Sequence, residues 1–80
     1  MPSYLIEAYV ANSQVAVEDT RHRARRTAEL GYGVRYVRTT FLPEDEMALH
    51  LFEAPSVKAL EEAGRLAALG YERIVEVVEG

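Results

Sequence analysis

The side chains with most chemistry to offer in this chain of 80 residues are its two histidines, His22 and His50, set among thirteen acids and nine lysines and arginines. There is no cysteine, so no thiolate is available as nucleophile, redox group or metal ligand, and any metal ion falls to His, Asp or Glu. His22 stands in the run Arg21-His22-Arg23-Ala24-Arg25-Arg26 and is expected to be a solvated member of a basic helix face. His50 stands in Met47-Ala48-Leu49-His50-Leu51-Phe52. In a strand, period two puts Glu46, Ala48, His50 and Phe52 on one face and Met47, Leu49 and Leu51 on the other. The expectation is that the leucines face the core and His50 faces away from it. Glu7 and Glu76 are the carboxylates expected beside it, and Tyr9, Tyr36, Arg38 and Phe52 the pocket around it. One imidazole and two carboxylates suit a hard-to-borderline divalent cation, or general acid–base chemistry. The competing reading is plain cross-strand charge pairing on a solvated face.

The elements that position these residues follow from the local pattern. Ser3–Val10 alternates as a strand. Asn12-Ser13 breaks it and offers N-caps for a helix running to about Leu30, with Val17, Thr20, Ala24 and Thr27 or Ala28 inward and Gly31 at its end. Val34–Phe41 and Met47–Phe52 are rich in β-branched, aromatic and aliphatic residues around the turn Pro43-Glu44-Asp45 and read as a hairpin. Pro55-Ser56 opens a second helix with Val57, Leu60, Ala63, Gly64 and Ala67 as its apolar stripe and Gly70 as its close, and Tyr71–Val78 is a last strand. Ala28-Glu29-Leu30-Gly31-Tyr32 is echoed by Ala67-Ala68-Leu69-Gly70-Tyr71, each at a helix-to-strand junction. Strand-helix-strand twice over gives an α+β, ferredoxin-like βαββαβ sandwich over residues 1–80, a single domain. Its four-stranded antiparallel sheet takes the order 4-1-3-2, with both helices on one face.

Composition narrows the functions. A chain this short buries only about 60% of its unfolded surface, so a partner subunit is a reasonable source of further burial. Tyr9, Phe52, Ile74 and Val78 are the residues expected to join two sheets face to face in a homodimer. The net charge of −4 argues against a general nucleic-acid binder, which needs a basic surface. No apolar run approaches the length of a membrane span, and the N-terminus lacks the features of a signal peptide. The expected compartment is the cytoplasm. Glu44-Asp45-Glu46 lacks the spacing of a calcium loop, and no phosphate-cradling glycine loop, HExxH or nucleophile elbow is present.

Tyr36-Val37-Arg38 with Thr39-Thr40-Phe41-Leu42-Pro43-Glu44-Asp45-Glu46, Leu51-Phe52-Glu53-Ala54-Pro55, and Glu72-Arg73-Ile74-Val75-Glu76-Val77 together resemble the small bacterial nickel-binding proteins long catalogued as a domain of unknown function. The resemblance covers nearly the whole chain. It implies a ferredoxin-like dimer with a capacity for Ni(II) and no organic cofactor. His50 falls where relatives often carry cysteine, which keeps a metal-competent side chain in place. Ala63 stands where relatives commonly show histidine, and Ala68-Leu69-Gly70 where they show Gly-x-Pro. Three functions are therefore carried forward. The first is a dimeric metal-binding protein using His50, Glu7 and Glu76. The second is a cofactor-independent dimeric α/β-barrel enzyme, of monooxygenase or isomerase type, in which Tyr36, Arg38 and His50 orient and deprotonate a small organic substrate. The third is a structural or interaction module.

Overall fold

The computed structural model describes residues 1–78. Strand β1 (Ser3–Tyr9), helix α1 (Gln14–Leu30), strands β2 (Arg35–Leu42) and β3 (Met47–Glu53), helix α2 (Val57–Leu66) and strand β4 (Arg73–Val77) follow in that order. Every pairing is antiparallel and the sheet runs β2-β3-β1-β4, the expected order read from its other edge.

Both helices begin where the sequence supplies a cap. The Ser13 side chain accepts from the Ala16 N–H at 3.2 Å, and the Ser56 side chain accepts from the Ala59 N–H at 3.1 Å, each satisfying a donor that the first turn leaves free. The buried stripe of α1 is Thr20, Ala24 and Thr27, short side chains that let the helix lie close to the sheet. At its end a Cβ on Gly31 would stand 2.6 Å from the Ala63 Cβ and 2.7 Å from Val34 Cγ2, so only glycine allows this junction to meet α2. Helix α2 stops at Leu66, well before Gly70. Ala68 there takes a left-handed conformation with φ 57°, and the Leu69 N–H donates to the Gly64 carbonyl at 2.9 Å. That reversal turns Leu69 back into the core, where it is buried.

The two faces of the sheet are exchanged relative to the expectation for β3. Tyr4, Ile6 and Ala8 of β1 and Ala48, His50 and Phe52 of β3 are buried beneath the helices, whereas Leu5, Met47, Leu49 and Leu51 lie half-buried on the open face. Register shows why. Ile6 is opposite His50, Tyr4 opposite Phe52 and Leu5 opposite Leu51, and directly opposed residues share a face. Burying Ile6 therefore buries His50, and a core of Ile6 with Leu49 and Leu51 would require a one-residue slip.

A second departure lies in β2. Tyr36 pairs with Phe52 and Arg38 with Leu51, so Val37 is a surplus residue, a β-bulge. The bulge puts Tyr36 on the helix side and Arg38 on the open side, although strict alternation assigns them to one face. Beyond it Thr39 lies opposite the buried His50, while Thr40 lies opposite Leu49 on the open face.

Candidate functional site

Beneath α1, His50 is completely buried. Its Nε2 lies 3.0 Å from Thr20 Oγ1, contributed by the inward stripe of α1. Its Nδ1 lies 2.7 Å from Thr39 Oγ1, contributed by the strand alongside. Thr39 Oγ1 is in turn 2.7 Å from Tyr36 Oη, and the Tyr36 ring stands edge-on to Phe52 with 5.6 Å between centroids. The result is a polar chain through an otherwise apolar layer: Thr20, His50, Thr39, Tyr36. Burial pushes the His50 pKa down from 6.5 to about 4, because a charged ring there would lose its hydration. The imidazole is consequently neutral at pH 7, with one ring nitrogen donating and the other accepting. Hydroxyls on both sides can match either tautomer, since each donates or accepts as required.

The residues named for a metal are not brought together. Glu7 lies on the open face, where its Oε1 accepts from Arg73 Nε at 3.1 Å. Glu76 is exposed on the edge strand and pairs with Tyr4 on the helix side. His50 is under α1 with both ring nitrogens already hydrogen-bonded. Among the described residues no group of three or more His, Asp or Glu side chains lies close enough to hold one ion. Within one protomer His50, Glu7 and Glu76 therefore stand apart: Glu7 is on the opposite face from His50, and β1 lies between His50 and Glu76.

The pocket residues divide in the same way. Phe52 is core, Tyr36 belongs to the buried polar chain, Arg38 is exposed on the open face, and Tyr9 ends β1 at a surface cleft. For the enzyme reading, His50 and Tyr36 are joined through Thr39, while Arg38 is on the other side of the sheet. The residues expected at the dimer contact also part company: Phe52 and Ile74 pack in the helix-side core, and Tyr9 and Val78 are exposed. The acidic turn has a structural use, since Glu46 Oε2 accepts from the Asn12 N–H at 2.9 Å. His22 is exposed on the arginine-rich face of α1, as expected.

Thr20 and Thr39, the two hydrogen-bond partners of His50, are not marked as site residues by the sequence pattern. A signal was present for Thr20, because a hydroxyl in a buried helical stripe needs a partner. Thr27, in the same stripe, answers that need within the helix by donating to the Arg23 carbonyl at 2.8 Å. Thr20 answers it across the layer, at His50.

Two surfaces accompany this buried chain. One is a cleft of about 400 Å³ beside the N-terminal half of α1, the end of β1 and the connection from α2 to β4; Thr20 is among its lining residues. The other is the open face of the sheet. There Leu5 pairs with both Leu51 and Val75, with Met47 and Leu49 further along β3 and Val77 further along β4. Two ion pairs flank this strip, Arg73 with Glu7 at 3.1 Å and Arg35 with Glu53 at 2.8 Å.

No protein-family model matches this chain, and no curated protein matches it. Among solved structures, the crystal structure of SCO4226 from Streptomyces coelicolor A3(2) is similar with a TM-score of 0.76, covering 98% of this chain and 98% of that one at 14% identity. Likeness at that identity establishes a common fold. No helix among the described residues is long and apolar enough to cross a membrane.

Proposed function

We propose that this chain works as a homodimeric interaction module, two copies packing the open faces of their sheets against each other about a twofold axis. The observation that carries this reading is the contiguous strip Leu5, Met47, Leu49, Leu51, Val75 and Val77, half-buried in the single chain and covered by neither helix. A continuous apolar surface of this kind commonly marks an interface. The molecule is a slab of 32 × 30 × 18 Å, and its broad side can supply the roughly 800 Å² per partner of a standard interface. The flanking acids are each matched by an arginine, which limits like-charge repulsion between two identical faces. A chain with so small a core gains the burial it lacks by self-association.

Sedimentation equilibrium at tens of micromolar tests it, comparing wild type with Leu51→Glu. Leu51 is off the helix-side core, so the variant keeps its fold by circular dichroism, while a carboxylate pressed into an apolar contact weakens association by at least about tenfold. Wild-type protein that sediments as a monomer at these concentrations, or a Leu51→Glu dimer of unchanged affinity, refutes the sheet-to-sheet arrangement.

A further inference from the structure

We propose that the cleft beside the N-terminal half of α1 is a small-molecule site for an uncharged aromatic compound carrying a hydroxyl, which hydrogen-bonds to Thr20 and through it reads the tautomer of the buried His50. Four features of the molecule lead there. The cleft holds about 400 Å³, within the roughly 300–1,000 Å³ of small-molecule sites. Its walls include small apolar residues, Ala11, Ala16 and Ala68, with the exposed Tyr9 among the lining residues to flank a flat ring. Its two charged residues neutralise each other: Arg23 Nε donates to Asp19 Oδ2 at 3.0 Å while Arg23 Nη1 donates to the Ala68 carbonyl at 2.9 Å. No net charge is left to recruit an ion, and a neutral ligand is favoured. Finally, Thr20 both lines this cleft and bonds His50, so the cleft and the buried polar chain share one residue.

The linkage has a defined consequence. If His50 Nε2 carries the proton it donates to Thr20, whose own hydroxyl proton is then free for an acceptor; if Nδ1 carries it, Thr20 donates to Nε2 and offers lone pairs to a donor. A ligand hydroxyl that settles the direction of the Thr20 bond therefore settles the ring tautomer, with Thr39 and Tyr36 reorienting in step. This site lies on the helix side, away from the dimer contact, so its success or failure is independent of that assembly.

Gly70 provides the decisive variant. It lines the cleft, nothing lies within 4 Å of where its Cβ would be, and its backbone is outside the left-handed region, so Gly70→Val fills space without straining the chain. Isotope-labelled protein is titrated with phenol, following backbone amides and the His50 ring nitrogens by NMR, with benzoate as the charged comparison. Expected are saturable phenol shifts at Ala16, Thr20 and Ala68 together with a change in the His50 ring nitrogens, much weaker shifts with benzoate, and loss of the phenol response in Gly70→Val whose amide spectrum stays dispersed. Thr20→Val should retain weaker amide shifts and lose the ligand-dependent change at His50. An absent phenol response, an undiminished one in Gly70→Val, shifts confined to the Lys58–Arg65 side of α2, or a wild-type His50 ring indifferent to bound phenol overturns the proposal.

Discussion

Acidification should unfold this protein earlier than its carboxylates alone would dictate, because a neutral histidine is sealed into its core. The His50 pKa falls from 6.5 to about 4 on folding, through burial, and each unit of such a difference corresponds to about 1.36 kcal/mol. Between those two values the unfolded chain binds the proton that the folded chain refuses, so the stability of the fold rises with pH there. The contribution of this one group is full above 6.5 and is lost progressively as pH falls, the loss amounting to about 3 kcal/mol once pH reaches about 4. The stability of a small domain is only about 5–15 kcal/mol, so this loss is visible. Urea unfolding of wild type and His50→Gln is measured at fixed protein concentration from pH 7 to pH 4.5, glutamine keeping hydrogen-bonding capacity without a titrating ring. The difference between the two curves isolates His50, with wild type losing stability faster through the acid range. In parallel the His50 ring carbons, followed by NMR, should show no titration above about pH 5. Parallel stability curves for the two proteins, or a ring that titrates near its ordinary value, would refute the account of a desolvated neutral imidazole.

Two further substitutions check the packing. Phe52 is fully buried and Leu51 only half-buried. Phe52→Ala should therefore cost about 3–5 kcal/mol, and Leu51→Ala should cost well under half as much under conditions where the protein is monomeric; equal losses in thermal denaturation would contradict the assignment of the faces. At Gly31, where a Cβ would come within 2.6 Å of Ala63 Cβ, alanine should destabilise by about 1–3 kcal/mol, and a rise in melting temperature would show that the junction has slack.

Element order, the Ser56 cap and, to within Asn12 or Ser13, the first cap could be read from residue types alone, since strand alternation, capping side chains and the echoed Ala-x-Leu-Gly-Tyr are local signals. Which side of the sheet faces the helices could not be read locally. Met47, Leu49 and Leu51 are as apolar as any core strand, and Ala48, His50 and Phe52 contain the histidine, so composition points the wrong way. The decision is made by the pairing of Ile6 with His50 and by the short side chains of α1, whose close approach to the sheet leaves room for alanine and for an imidazole met by a threonine. His50, Glu7 and Glu76 can converge only if all three point to the open face; with His50 beneath α1, Glu7 alone remains there and Glu76 stands across β1 on the edge strand. The joining of Tyr36 to His50 was hidden differently, behind a bulge that no alternation count reveals.

That bulge bears on how this sheet can change over evolutionary time. An insertion or deletion of one residue inside a paired strand ordinarily turns every later side chain through to the opposite face. Val37 is already the surplus residue between the pairs Tyr36–Phe52 and Arg38–Leu51, so removing it would leave all the others on the faces they now occupy. The strand thus contains one position where chain length can vary without scrambling inside and outside. A homologue lacking that residue would preserve the contact of Tyr36 and Thr39 with the buried histidine, and an alignment that placed the gap even one position away would match an inward side chain to an outward one.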